Sequence, residues 1–303
     1  QKAARQAIAP ELMRRTNKII KSEIFEIKDD HKIYWKDNPI AFISPGKNYL
    51  NPNLRLLVDE AIDLESKEKL QANLEKKLQT LIFSELSDLV NLSKSKFTNN
   101  YVRALCYQLF ENNGVIKREL VHKMVKNISK EDRLSLKKIG IKIGRYHIFL
   151  PKMLKPNAVN LRIKLWKLFF PEDKKYTIPK PGLNFLKDES KRNIKFLLIC
   201  GFENFEKFYV RVDILEKLFI KIIESSKDSV FKIDSEMMNL IGCNKENFLK
   251  LLELMQYKPK KTGSDKEDFF IYKPKLIKNK NKNKKKEIDE NNPFGKLTEL
   301  RFR

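Results

Sequence analysis

The chain has 303 residues, 63 Lys and Arg against 39 Asp and Glu, and a formal net charge of +24, with length enough for one large or two ordinary domains. A hydrophobic share of 41% with 20 Phe excludes a wholly unfolded chain, and no apolar run reaches the roughly 18 residues of a membrane span or forms a secretory leader. The charge predicts attraction to polyanions, nucleic acid first, because every neutralised phosphate releases counterions, although the excess of Lys over Arg among these cations is also what biased codon usage produces.

Cys106, Cys200 and Cys243 lie far apart, without a C-x-x-C pair and away from His31, His122 and His147. Neither disulfides nor zinc are expected, and this usage fits a reducing, cytoplasmic setting. The chain opens on Gln1 directly in a helical pattern, so we expect a piece of a longer protein or a processed product.

Residues 10 to 23 predict a helix entered at Pro10, with Leu12, Ile19 and Ile20 among basic residues. From Ile24 the period becomes two. Phe25 to Ile27, Lys32 to Trp35 and Ala41 to Ile43 predict an antiparallel meander, with turns at Asp29-Asp30-His31 and Asp37-Asn38-Pro39 and closure at Pro45-Gly46. One long amphipathic helix is expected from about Ser66 to Leu92, through Leu70, Leu74, Leu78, Leu81 and Ile82. A helix near Tyr101 to Glu111 stops at Asn112-Asn113-Gly114, and shorter ones follow at Lys117 to Val125 and Lys130 to Lys138. Ser129 with Asp132 caps the last, and Gly140 ends it.

Ile143 to Pro156, I-G-R-Y-H-I-F-L-P-K-M-L-K-P, is the most distinctive stretch. Its alternation suits a short strand occupied on both faces and ended by Pro151. Arg145 is suited to forking onto a phosphate, Tyr146 or His147 to stacking on a base, and Lys152 with Lys155 to holding a nucleic-acid backbone. The structural reading stands beside it: Ile148, Phe149, Leu150 and Leu154 fill a core, Gly144 permits close approach, and the basic groups face water.

Asn157 is expected to cap a helix carrying Leu161, Leu165, Trp166 and Phe169, ended by Pro171. Residues 171 to 193, with Pro179-Lys180-Pro181-Gly182, read as a linker. Phe196 to Phe202 and Phe208 to Val212 read as strands, and Asp213 with Glu216 as a capping box for a helix over Ile214 to Glu224. Between 234 and 273 the order is short helix, tight turn at Gly242-Cys243-Asn244, second helix and hairpin, which suggests a winged helix. The second helix carries Glu246 and Glu253 beside Lys245 and Lys250, poor chemistry for reading bases, so the hairpin is better cast as a phosphate contact.

Residues 258 to 286 hold twelve Lys against Asp265, Glu267 and Asp268, either an electrostatic tether for RNA or a solvated linker. Beyond them Phe294, Leu297 and Leu300 share a helical face that docks on the body or captures a partner. No G-x-x-x-x-G-K-[ST] loop, G-x-S-x-G elbow or H-E-x-x-H motif occurs, so no catalytic residue, cofactor-binding residue or metal ligand is assigned.

The run Gly144, Tyr146 to Pro151, Leu154 to Pro156, followed by Leu165-Trp166, resembles the region after the motor in bacterial counterparts of the mitochondrial degradosome RNA helicase, the suppressor-of-Var family. Ala9 to Leu12 with Arg14-Arg15, Trp35 to Ala41, Pro181 to Leu183, Val210 to Asp213 with Leu215-Glu216, Met238 to Cys243 and Pro293-Phe294 are similar, in the expected order. The resemblance implies an ATP-dependent RNA helicase, a hydrolase whose two motor domains, with their ATP and Mg, would precede Gln1. This chain then corresponds to the accessory carboxy-terminal part that guides RNA, and its tail to a contact for a degradosome exonuclease. Many family arginines are lysines here, which keeps charge and loses the guanidinium fork.

The expected fold is α+β and mainly helical. Residues 1–65 form a helix plus β meander, 66–170 a helical domain, 171–193 a linker, 194–275 a winged-helix-like module and 276–303 a basic tail with a docking motif. The expected function is RNA binding beside a helicase motor. A stand-alone nucleic-acid-binding or scaffold protein and a winged-helix DNA-binding regulator are the alternatives, and no membrane partner is expected.

Overall fold

The Ala-rich start of the chain favours helix well before Pro10, and α1 accordingly runs Lys2–Lys21 with Pro10 inside it rather than at its entry. The computed structural model describes residues 2–22, 25–57, 62–95, 97–188, 194–260 and 269–272. It is α+β and mainly helical, with small antiparallel sheets.

Strands β1 (Glu26–Ile27), β2 (Lys32–Trp35), β3 (Asn38–Asn48) and β4 (Asn51–Leu56) form a meander in chain order. Left-handed His31, Lys36 and Asp37 make its first two turns. Pro45-Gly46 does not close it. β3 continues to Asn48 through a register shift after Ser44, and β4 passes so near that a Cβ on Gly46 would lie 2.0 Å from the Asn51 carbonyl oxygen. The pair therefore marks a bulge, where a missing N–H and a missing side chain are both tolerated.

The expected long helix is broken into α2 (Leu64–Glu85) and α3 (Ser87–Lys94) at Leu86, whose φ of −112° leaves the helical region. Leu86 is itself buried, as are Leu70, Leu74, Leu78 and Ile82 before it and Leu89 and Leu92 after it, so the bend keeps both apolar stripes on one core. α4 (Asn100–Glu111) is capped by Asn99 and stopped by left-handed Asn113 and Gly114. The helix expected from Lys117 begins later, because β5 (Val115–Lys117) is taken up by a sheet, leaving α5 (His122–Lys126) and then α6 (Lys130–Lys138). Ser129 Oγ accepts the Asp132 N–H at 3.0 Å, as expected of its cap.

The expected single strand after Ile143 is instead a hairpin, β6 (Lys142–Ile143) and β7 (His147–Phe149), with β7 between β6 and β5. A 3-10 turn, Pro151–Leu154, leads into α7 (Pro156–Phe169). Its N-cap is Lys155 with Pro156 in the first turn, so proline and not an Asn157 cap starts the helix.

Residues 171 to 188 are not a bare linker. The 3-10 turn Pro171–Lys175 is fixed by Trp166 Nε1, which donates to the buried Asp173 carboxylate at 3.0 Å, and β8 (Phe185–Lys187) joins a sheet. The run expected as a strand from Phe196 is α8 (Ile194–Ile199), followed by β9 (Phe202–Phe205), β10 (Phe208–Arg211) and α9 (Val212–Ser225). β10 pairs with both β8 and β9. Beyond α9 come β11 (Val230–Lys232), α10 (Ser235–Ile241), α11 (Lys245–Leu254), β12 (Lys258–Pro259) and β13 (Phe269–Ile271), with β13 central in its sheet. The proposed basic tail over 276–303 and the stripe Phe294, Leu297 and Leu300 lie outside the described residues.

The meander and helical middle share one core, while the described residues from β10 to β13 build a second around Phe208, Leu215, Phe231, Phe248 and Phe270. Arg162 links the middle to the chain beyond it. Its guanidinium is buried and donates to the carbonyls of Asn113, of Met153 at 2.9 Å and of Ile199 at 2.6 Å, so the charge is dispersed over three dipoles. Burial pulls its pKa down to about 10.

Candidate functional site

The β6–β7 turn brings the N–H groups of residues 145, 146 and 147 to one side, and Glu216 of α9 fills the space between them. Its Oε2 accepts from Arg145 N at 2.6 Å, and its Oε1 from Tyr146 N at 2.7 Å and His147 N at 2.9 Å. Three orphan donors and one buried carboxylate thereby satisfy each other. Gly144 is required by space, since a Cβ there would sit 2.4 Å from the Glu216 carboxyl carbon. Arg118 holds the turn from the other side, its guanidinium donating to the Gly144 carbonyl at 2.7 Å and its N–H to the Tyr146 carbonyl at 2.8 Å.

Beneath the turn the His147 ring, only 1% exposed, lies with Nε2 2.5 Å from Glu203 Oε2 and Nδ1 4.0 Å from Glu216 Oε1. Lys117 Nζ reaches the other Glu203 oxygen at 2.5 Å. Burial works to raise the Glu203 pKa, but the His147 and Lys117 hydrogen bonds and charges outweigh it and hold the carboxyl below its ordinary value. His147 Nδ1 has no hydrogen-bond partner. The Tyr146 hydroxyl meets that of Tyr257 at 3.1 Å, and its ring stands edge-on to Phe219 at 5.5 Å. Burial raises the pKa of both phenols.

The five residues singled out for nucleic-acid contact are therefore divided. His147 is interior and Tyr146 is packed against α9 and Tyr257, so in this arrangement neither ring offers a free face to a base. Arg145 is half-buried, its guanidinium 5.6 Å from the Phe219 ring centre. Lys152 is exposed and pairs with the buried Asp88 at 2.8 Å. Lys155 is exposed at the start of α7. Of the last three, Arg145 lies at the rim of a joint whose centre is Glu203, His147 and Glu216, while Lys152 lies against α3 and Lys155 at the start of α7.

Sequence reasoning missed the two glutamates. Glu216 was expected at N3 of a capping box, and its spacing from Asp213 fits one, but its partners lie 69 to 71 residues upstream. Glu203 stands in a strand where an acidic residue next to Phe202 is the only signal of an interior charge. The arrangement stores no nucleophile beside a base; it seats α9 on the helical middle. Among the described residues no group of His, Cys, Asp and Glu could hold a metal ion, and no helix is long and apolar enough to cross a membrane.

Comparison with known proteins finds no matching family model, no matching curated protein and no matching solved structure.

Proposed function

We propose that this chain is the RNA-binding accessory region of an ATP-dependent RNA helicase of the suppressor-of-Var type, acting beside motor domains that use ATP and Mg. The observation that carries the reading is the joint: a buried carboxylate fixes a basic-rimmed hairpin of the helical middle onto α9, the first helix of a compact C-terminal module, within a chain of +24 charge. From α9 to β13 that module runs helix, strand, helix, helix, strand, strand, with the last strand central, an order that supports a winged-helix assignment. Glu246 on the outside of α11 pairs with Lys250 at 2.6 Å, so the module is assigned phosphate contact rather than base readout. The degradosome exonuclease remains the partner proposed for the tail.

The test is titration of the chain with a labelled single-stranded RNA across a range of salt. We expect affinity that falls steeply with salt, at about 0.7 in slope per phosphate contact. Replacing Arg145, Lys152 and Lys155 with Ala should weaken binding and flatten that slope. Absence of salt-dependent RNA binding by the folded wild-type chain would remove the reading.

A further inference from the structure

A groove of about 520 Å3 opens between α6 and the β6–β7 hairpin, lined by Arg118, Arg133, Lys137 and Lys142 over Ile141, Ile143 and Pro151. Four cations and no carboxylate line it, whereas elsewhere on the surface Lys69 pairs with Glu65 and Lys250 with Glu246. Among the described residues none of the four forms an ion pair. The volume falls within the range of small-ligand sites, and its composition pairs a cationic wall with an apolar floor.

Both arginines are held in place by backbone carbonyls. Arg118 donates to Gly144 O at 2.7 Å, and Arg133 to Val125 O at 2.9 Å and weakly to Ile128 O at 3.4 Å. Each guanidinium has five N–H donors, so these bonds fix the planes and leave further donors for a ligand. Such anchoring removes in advance part of the side-chain entropy that binding would cost. Burial, followed by the facing charges of Arg145 and Arg133, lowers the Arg118 pKa, with Glu216 the opposing acid. The cations thus repel one another across a space that an anion would relieve.

We propose that this groove grips one nucleotide of a single-stranded RNA, its phosphate on Arg118, Arg133, Lys137 and Lys142 and its base or ribose against Ile143 and Pro151. A fork of guanidinium donors matches phosphate oxygens, and an apolar floor accepts any base, which makes the grip sequence-tolerant. On the far side of Gly140 a second hollow of about 450 Å3 carries Lys94, Lys138 and Lys152, but also Asp88. The strand therefore leaves the grip along Lys138 and Lys152 while its tightest phosphate stays in the acid-free groove. The proposal rests on the RNA reading and places its tightest contact on Arg118, Arg133, Lys137 and Lys142, with Lys152 alone of the five sequence candidates on the path that leaves it.

The experiment compares two double charge reversals in the full chain, both confirmed folded by cooperative thermal unfolding. Lys137→Glu with Lys142→Glu alters the groove. Lys36→Glu with Lys76→Glu makes the same change in net charge on exposed side chains elsewhere. Binding of a labelled oligouridylate is read against salt, alongside uridine monophosphate and inorganic phosphate as free-phosphate probes. We expect the groove variant to lose at least tenfold in RNA affinity and about 1.4 in salt slope, two contacts at about 0.7 each, with the control losing less than threefold. Equal losses in both variants would overturn the groove while leaving the chain an RNA binder. Uridine monophosphate bound as tightly as the oligonucleotide, and lost with the groove variant, would overturn it in favour of a small phosphate ligand. Failure of wild type to bind RNA would instead remove the broader reading together with this one.

Discussion

His31 sits in a left-handed turn with φ of 62° and is 4% exposed. Burial first, then the charges of Lys174 and Lys167, lower its pKa below the ordinary 6.5. The sign follows from linkage. The unfolded chain binds the proton more readily, so this contribution to stability is complete above pH 6.5 and is lost as pH falls toward the lower folded value, at no more than about 1.4 kcal/mol per pH unit. Urea unfolding of wild type should therefore show stability rising with pH up to about 6.5, and His31→Asn, which tolerates the turn but does not titrate, should flatten that rise. An unchanged profile in the variant would assign the dependence to other groups.

Helix α6 carries two of the groove cations, Arg133 and Lys137, and is only nine residues long. Its N-terminal N–H groups depend on Ser129, so Ser129→Ala should cost about 1 kcal/mol and raise hydrogen exchange in the first turn of α6 more than in α4. This cap was readable because its partners are local, and so were the Asn113-Gly114 stop and the α4 boundaries. Elements set by distant partners were not. Ile194 to Ile199 reads as an apolar run, and burial of Phe196, Leu197 and Ile199 satisfies a helix and a strand equally at that length. Leu86 bends a helix that periodicity alone would continue, because the core and not the local pattern decides where the second stripe must face. Of the joint, the turn residues Arg145, Tyr146 and His147 were legible as a cluster. Its centre was not, since Glu203 and Glu216 become interior only when chain segments far apart in sequence meet.

At the scale of the molecule, the Glu216 carboxylate is the polar centre of the contact between the helical middle and the C-terminal module, beside the Tyr146–Tyr257 pair and the packing of Val212 on Val115 and Phe149. Glu216→Ala leaves the buried His147 N–H and the half-buried Arg145 and Tyr146 N–H groups without their acceptor, and at about 1–3 kcal/mol for the buried orphan and less for the other two we expect a loss of about 2–4 kcal/mol in urea unfolding. Glu216→Gln retains one acceptor oxygen and should lose less. If the two halves unfold in separate transitions in the alanine variant, the carboxylate is what makes them cooperative; loss of less than 1 kcal/mol would mean that water or a shifted turn replaces it.

That same contact imposes an order of events on a growing chain. The β6–β7 turn is made long before residue 216, and until α9 arrives its three N–H groups have only water to bond. The middle can collapse around its leucines while this corner stays open, and the latch then closes a loop of about 70 residues, a non-local contact of the kind that slows folding. A ribosome that pauses before α9 would hold a chain whose first core can assemble while its hairpin stays unlatched.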